Sequence, residues 1–279
     1  GFRGADFKTM HNFVNIVPDS EVKKLTLNYR SSQEILDLSN WLLNQSPLKY
    51  GKDLKAYRGV SGFLPQIINV DNDWIEANDI TDKILSSIAE KGFNYNDNMV
   101  LSRTLWGLRK VEACCLEKKI PYTVFGGSGL MKSKHVRDLV SALRIVSNIQ
   151  DELAWMRYLM LWKGVGEVTA ARIVEKVIFS QSMNEVLDIL SGLNLQLEIS
   201  TTLKNITDLQ SYPSKSIHEA YKTMEKRLSE IYKDEWEWRK QDFDILQEVA
   251  LSTSSITEFV AEYVLDPKLE TTNKIAEKM

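Results

Sequence analysis

The strand-like segments of this sequence all lie in its first half, and this limits the folds that the chain can adopt. Before residue 133, short β-type runs alternate with segments whose apolar residues have helical spacing. Strands separated by helices are typical of a parallel, doubly wound sheet. After residue 133, helical spacing continues and only short polar breaks interrupt it. The sequence therefore predicts a fold that is α/β followed by all-α.

Individual elements follow from the same patterns. The predicted strands are Leu25–Leu27, Pro65–Val70, Met99–Ser102 and Tyr122–Phe125. Ser31 and Glu34 predict a capping box at the start of a helix that continues through Leu42. Further helices are predicted around residues 77–88 and 108–116, and the chain after residue 133 is predicted to be helical. We place the boundary between a partial parallel sheet with helices and a helical unit after residue 147.

Charge and hydropathy exclude several classes of protein. The 35 Lys and Arg residues and the 38 Asp and Glu residues give a formal net charge of −3, so any nucleic acid must be bound locally rather than by a global positive field. No run of about 18 apolar residues and no signal peptide occurs, so we expect a cytoplasmic protein without a membrane segment. The first residue is Gly1 and the last residues form a charged tail, as expected of a piece of a longer protein.

Several side chains that could bind a metal or a base have a structural interpretation instead. Cys114 and Cys115 are adjacent on a predicted helix, with side chains about 100° apart, and we interpret them as buried apolar residues rather than metal ligands. Trp236 and Trp238 are predicted to pack between helices. His135, in a basic helix start, is predicted to lie on a solvated face. No metal site is predicted.

Three motifs in a fixed order carry a resemblance to a known family. They are GFRGAD at residues 1–6, NYRS at residues 28–31, and the block from residue 100 to residue 127 that contains VLSRT and FGG. Together they resemble the UvrD/Rep/PcrA group of superfamily 1 ATP-dependent DNA helicases, and residues 236–267 are similar to the stretch that closes the inserted domain of that family. The resemblance implies part of the second RecA-like motor domain (2A) in residues 1–147 and the helical inserted domain (2B) in residues 148–279.

Tyr29 and Arg30 are the strongest candidates for a nucleotide site. They follow a predicted strand and precede a predicted helix, which is the sheet edge where α/β folds bind ligands. A phenol can stack on a base there, and a guanidinium can reach a transferring phosphoryl group. The resemblance implies that Tyr29 packs on the adenine of ATP and that Arg30 is the catalytic arginine that contacts the γ-phosphate. The alternative is a rim tyrosine beside a solvated arginine.

Contacts to single-stranded DNA are also implied by the resemblance. Phe2 corresponds to an aromatic residue that stacks on bases, and Arg3 to an arginine that links the DNA to the nucleotide. For these two, a frayed chain end is the alternative. Arg103 corresponds to a residue of the single-strand track, but the asparagine that the family has two residues later is Leu105 here. That departure removes one polar contact from the track.

Gly164, Val165 and Gly166 form the Gly-hydrophobic-Gly turn of a helix-hairpin-helix. The glycines permit a tight turn that brings the first amides of the next helix, up to Thr169, close to a phosphate. Such contacts do not depend on base identity. The resemblance implies that the turn contacts the duplex ahead of the fork. The alternative is a simple interhelical turn, and the adjacent Glu167 disfavours phosphate binding.

The sequence contains no GxxxxGK[ST] phosphate loop and no acidic pair that follows an apolar strand. We therefore expect ATP and Mg²⁺ to bind only in the full-length parent, and no cofactor to bind to this chain alone. The expected partners are single-stranded DNA, duplex DNA and the first motor domain of the same parent chain. The resemblance implies unwinding in the 3′–5′ direction. Two alternatives remain open, namely a stand-alone helix-hairpin-helix module and a helical protein-interaction scaffold.

Overall fold

The structure is a computed structural model that describes residues 12–17, 19–21, 23–46 and 52–265. It divides into two compact units, residues 1–69 and residues 70–279. The described part is mostly helical and contains one short pair of parallel strands. None of the described helices is long and apolar enough to cross a lipid bilayer.

The first unit is built around the parallel strand pair. Its elements are α1 (Phe13–Ile16), β1 (Leu27–Asn28), α2 (Gln33–Asn44) and β2 (Lys55–Ala56). Leu27 pairs with Lys55 and Asn28 with Ala56. The pairing extends by one hydrogen bond on each side, because Lys55 N donates to the Thr26 carbonyl at 2.9 Å and Tyr57 N donates to the Asn28 carbonyl at 2.8 Å.

Side-chain amides attach α2 to the second strand. Asn40 accepts a bond from Leu54 N at 2.9 Å and donates to the Leu54 carbonyl at 3.0 Å. Gln33 Oε1 accepts a bond from Ala56 N at 2.9 Å. The predicted helix is thereby confirmed, but the predicted capping box is wrong. The N-cap is Ser32, which makes no side-chain capping bond, and Glu34 accepts hydrogen bonds from residues 61 and 62 instead.

In its described residues, the second unit consists of helices joined by loops, with one isolated bridge at Tyr122. Its helices are α3 (Asp73–Lys91), α4 (Arg109–Glu117), α5 (Lys134–Ser147), α6 (Glu152–Met160), α7 (Glu167–Val177), α8 (Met183–Ser191), α9 (Leu197–Asp208), α10 (Pro213–Tyr232), α11 (Trp236–Arg239), α12 (Gln241–Ala250) and α13 (Ile256–Phe259). A π-helical turn, Val260–Leu265, follows α13. The largest fully buried side chains of its main core include Trp155, Tyr158, Phe243 and Phe259.

Both ends of helix α3 are set by residues that are well suited to cap a helix. Asn72 is the N-cap, and its side chain accepts bonds from Trp74 N and Ile75 N, both at 3.0 Å. Gly92 ends the helix with a φ of 68°, a conformation that glycine adopts without steric cost. A small cluster that includes Cys114 and Cys115 packs α4 against this helix. The prediction that the two cysteines are buried apolar residues is confirmed, and burial raises the pKa of Cys115 to about 12.

The predicted four-stranded sheet is not observed in the described residues. Residues 65–70 and 99–102 have no regular secondary structure, residues 122–125 contain only an isolated bridge at Tyr122, and the first strand is shifted to Leu27–Asn28. Ile67 and Leu101 are exposed. The physical reason is that an extended segment becomes a strand only when a neighbour satisfies its N–H and C=O groups. Apolar β-type runs alone do not supply that neighbour.

The predicted domain boundary after residue 147 falls inside the second unit. There, α5 packs against α6 and α10, and the main core is continuous from Ala113 to Tyr263. The assignment of residues 1–147 and 148–279 to two domains stays a prediction. Of the two tryptophans predicted to pack between helices, Trp236 is buried, as predicted, whereas Trp238 is 63% exposed. The prediction for Trp238 is wrong because its ring projects from the short α11 into solvent.

Candidate nucleotide and DNA sites

Tyr29 and Tyr57 lie side by side at one edge of the strand pair. Each comes directly after its strand, and the parallel register brings both strand ends to the same edge. Their ring centroids are 4.8 Å apart with an angle of 41° between the planes. Because the two rings already touch, no base fits between them. The side chains are 63% and 69% exposed, so an outer ring face is available for stacking.

Arg30 is held at the tip of a turn that Asn28 organises. The Asn28 side-chain oxygen accepts bonds from Arg30 N at 2.8 Å and from Ser31 N at 2.9 Å, which reverses the chain between β1 and α2. Arg30 is exposed, and no acidic side chain of the described ranges forms an ion pair with it. Its charge is therefore accessible to an anion at this edge.

Glu34 fixes the loop after β2 beside this turn. Its carboxylate accepts bonds from Ser61 N at 2.9 Å, from Ser61 Oγ at 3.1 Å and from Gly62 N at 2.6 Å. The Gly59 carbonyl also accepts a bond from Gln33 N at 2.9 Å. Hydrogen bonds from the Glu34 amide itself and from Ser61 and Gly62 lower the pKa of the carboxyl to about 2. The contact is therefore complete above pH 4 and is lost only as the pH falls towards 2.

Sequence reasoning missed Tyr57 and misassigned Glu34. A signal for Tyr57 was present, because the dipeptide Tyr-Arg occurs at residues 29–30 and again at residues 57–58. Phe2 and Arg3, which the resemblance places near the nucleotide and the DNA, lie outside the described residues.

Arg103 lies on a closed turn in the second unit, formed by residues 102–107. A Cβ atom on Gly107 would collide with Ser102 Oγ, so the two ends of the turn are in contact. A Cβ atom on Gly127 would collide with Leu105 Cδ1. Leu105 therefore packs against the backbone of Gly127, which explains how an apolar residue is accommodated there. Arg103 is exposed.

The predicted hairpin is present between α6 and α7. Gly164 has a φ of 81°, and Gly166 is the N-cap of α7. The side chain of Val165 is buried in the core, so only its backbone can face a ligand. The turn is held from outside, because Gln196 Nε2 donates to the Lys163 carbonyl at 3.1 Å and Arg227 Nε donates to the Leu161 carbonyl.

The N-terminus of α7 has backbone amides that could bind an anion, but the nearest cation in sequence is paired with a carboxylate. A helix leaves its first N–H groups without internal partners, which here are those of Glu167, Val168 and Thr169. All three residues are exposed. Lys163, the nearest cation in sequence, forms an ion pair with Glu230 at 2.9 Å. An anion at this end would therefore be bound by amides and the helix dipole.

A buried polar network links α4, α5, α11 and α12. His135 is 2% exposed; its Nε2 lies 2.9 Å from Asp242 Oδ2, and its Nδ1 lies 2.8 Å from a guanidinium nitrogen of Arg239. Arginine can only donate, so Nδ1 accepts and Nε2 carries the proton that is donated to Asp242. Asp242 also pairs with Arg109 at 3.3 Å, and Arg109 pairs with Glu112 at 2.7 Å.

The prediction of a solvated His135 is wrong because the apolar face of α5 turns this residue into the core. Its ring packs edge-on against Tyr232 and Phe243, with centroid distances of 5.9 and 5.6 Å. Within the described ranges, no group of three or more metal-ligating side chains is found. We regard the network as structural, since its members are buried and bind one another within the helical unit.

Comparison with known proteins identifies the family. The sequence model of the UvrD-like helicase C-terminal domain matches residues 23–277. The ATP-dependent DNA helicase UvrD1 of Mycobacterium bovis is 30% identical over 167 residues, which cover 60% of this chain and 22% of the relative. The ATP-dependent DNA helicase PcrA of Leuconostoc citreum is 29% identical over 176 residues, which cover 63% of this chain and 23% of the relative.

A third relative extends the matched region. The probable DNA helicase II homolog of Mycoplasma capricolum is 27% identical over 222 residues, which cover 79% of this chain and 30% of the relative. The chain thus spans between a fifth and a third of the length of these relatives. Because the family match extends over nearly the whole sequence, the chain belongs to the UvrD-like helicase C-terminal domain family.

Proposed function

We propose that this chain is part of an ATP-dependent DNA helicase that unwinds duplex DNA in the 3′–5′ direction. In this proposal, residues 1–147 belong to the RecA-like second motor domain and residues 148–279 to the inserted domain. The observation that carries the proposal is the exposed Tyr29–Arg30 pair at the end of a parallel strand, in a chain of this family. The relatives named above, whose names describe them as DNA helicases, support it.

On the nucleotide side, Tyr29 stacks on adenine and Arg30 contacts the γ-phosphate. Tyr57 supports Tyr29 from behind, because their rings are in contact. The loop that bears Tyr57 is in turn fixed by Glu34. Arg3 contributes a further contact to the nucleotide. The phosphate loop and the Mg²⁺ ligands belong to the first motor domain of the longer protein, which closes over this edge.

On the DNA side, Phe2, Arg3 and Arg103 contact the single strand. The turn at Gly164, Val165 and Gly166, together with Thr169 in the first turn of α7, contacts duplex phosphates through backbone amides. The two alternative functions are a stand-alone DNA-binding module and a protein-interaction scaffold. Neither requires a nucleotide to bind at Tyr29.

The isolated chain is expected to show no ATP hydrolysis with or without DNA, because the sequence contains no phosphate loop. The full-length parent is expected to hydrolyse ATP and to unwind a duplex that carries a 3′ single-stranded tail in preference to one with a 5′ tail. Strand separation of the two substrates is followed by gel electrophoresis, and phosphate release is measured in parallel. DNA-stimulated hydrolysis by the isolated chain, or a preference for the 5′ tail, contradicts the proposal.

Replacing Gly166 with leucine is expected to weaken binding of the chain to a forked duplex by about 2- to 30-fold, the equivalent of ~0.5–2 kcal/mol. The variant should fold, because Gly166 has an extended backbone with a φ of −89° and a Cβ atom there meets nothing within 4 Å. The leucine would instead cover the amides of α7. Binding is measured by fluorescence anisotropy at several salt concentrations, and the salt dependence should be shallow because few cations take part.

The matched control is Gly192→Leu at the end of α8, where an added Cβ atom also meets only ordinary contacts. It should bind the fork like the wild type. If both variants bind the forked duplex with the same affinity, the hairpin is not part of the DNA interface. The family assignment does not depend on this result.

A further inference from the structure

Trp106 is an exposed aromatic residue that the proposed function does not use. It begins a short helical turn, Trp106–Leu108, directly before α4, and its side chain is 43% exposed. The Lys110 ammonium lies 5.8 Å from the centre of its ring and 5.6 Å from the ring of Trp74. Lys110 is itself held by Asp73 at 3.0 Å. The indole is thus oriented from one side by a cation that cannot move freely.

The turn that carries Trp106 also carries Arg103. The two ends of this turn touch at Ser102 and Gly107, and the Gly107 amide donates to Thr104 Oγ1 at 3.3 Å. Three residues span at most about 11 Å, so the backbones of Arg103 and Trp106 lie within that distance. Within the described ranges, no acidic side chain forms an ion pair with Arg103. The turn therefore presents a cation and an aromatic ring that is partly exposed.

A second exposed ring lies on the segment against which this turn packs. Leu105 is in contact with Gly127, and Phe125 is two residues before that glycine and exposed. Two loops in contact with each other thus carry two exposed rings and an arginine. Aromatic rings beside a cation are the combination that binds single-stranded nucleic acid, because every base has a face that can stack and every nucleotide a phosphate.

We propose that Trp106 is a stacking platform for a base of single-stranded DNA, next to a phosphate bound by Arg103. The inference rests on the proposed function for the assignment of Arg103 to the single-strand track. It adds a base contact that the helicase motifs do not contain, and Phe125 is placed to receive a neighbouring base. Stacking of this kind does not read sequence, as a translocating protein requires.

The test uses the complete chain and a fluorescent twelve-nucleotide thymidine strand, with binding measured by anisotropy at low salt. Trp106→Ala is expected to weaken binding about 5- to 150-fold, the loss of ~1–3 kcal/mol that stacking of one base contributes. Trp106→Tyr should retain most of the affinity, whereas Trp106→Leu, which keeps an apolar contact with the Lys110 stem, should not. Trp238→Ala is the matched control, because Trp238 is even more exposed but lies on α11. It should bind like the wild type.

A strand of abasic nucleotides separates base stacking from phosphate contacts. Its affinity should not change in Trp106→Ala, but it should fall in Arg103→Ala. Wild-type affinity of Trp106→Ala or of Trp106→Leu for the thymidine strand overturns the inference, as does a wild-type chain that does not bind this strand. These outcomes are independent of ATP hydrolysis and unwinding by the parent. If Arg103→Ala weakens binding and Trp106→Ala does not, Arg103 stays assigned to the single-strand track and the stacking role of Trp106 is rejected.

Discussion

Arg30→Ala in the full-length parent is expected to reduce DNA-stimulated ATP hydrolysis by a factor of about 10³ to 10⁵, the equivalent of ~4–7 kcal/mol of activation free energy. Nucleotide binding should remain nearly intact. An arginine supplied by the second motor domain stabilises charge in the transition state, whereas affinity for the ground state comes from the phosphate loop and Mg²⁺ of the first. The measurements are steady-state hydrolysis and titration with a fluorescent nucleotide.

The repeated Tyr-Arg dipeptide supplies matched controls for this experiment. Arg58 follows Tyr57 as Arg30 follows Tyr29, and it is also exposed. Arg58→Ala should hydrolyse ATP at close to the wild-type rate, whereas Arg30→Lys should recover little activity because a point charge does not reproduce the planar fork. Tyr29→Ala should mainly weaken nucleotide affinity through lost stacking. Wild-type turnover in Arg30→Ala would show that the NYRS motif has only a structural role in this protein.

Asp242→Ala is expected to lower the free energy of unfolding of the chain by about 3–5 kcal/mol, since breaking a buried ion pair leaves an uncompensated charge. The substitution removes the acceptor of the His135 proton and one of the partners of Arg109, and all three side chains are buried. Urea unfolding followed by circular dichroism measures the loss.

Asp244→Ala on the same helix is the control, because Asp244 is exposed and should change stability by less than about 0.5 kcal/mol. Asp242→Asn keeps the shape of the side chain and one oxygen acceptor. Its loss of unfolding free energy should therefore lie between those of Asp242→Ala and Asp244→Ala. An unchanged unfolding midpoint in Asp242→Ala would show that the network contributes no net stability.

The helices could be predicted from the sequence because the periodicity of a helix is a local property. The apolar spacing through Leu42 and around residues 77–88 correctly located α2 and α3. The strands could not be located equally well, because pairing depends on residues distant in sequence. β1 and β2 contain two residues each and are separated by α2, and no local pattern identifies them as partners.

In the candidate site, too, features within a short motif could be predicted, whereas contacts between residues distant in sequence could not. Tyr29 and Arg30 could be proposed as site residues from the sequence because a short motif contains both. Tyr57 was missed because only the parallel register places it beside Tyr29. Glu34 was assigned to a capping box because Ser31 is three residues away. In the structure, the backbone amides of a loop distant in sequence bind its carboxylate instead. His135 was misplaced because its partners, Arg239 and Asp242, are more than a hundred positions away.

The buried network has a consequence for the order in which this protein folds. His135 and Asp242 are 107 positions apart, so their contact cannot form until α12 has been synthesised. Until then, the surface of α4 that α12 covers remains open to solvent and to other chains, and the Arg109 guanidinium lacks its contact with Asp242. Contacts of such long range slow folding and expose intermediates to aggregation. During synthesis on the ribosome, α12 is therefore the element whose arrival completes the buried network.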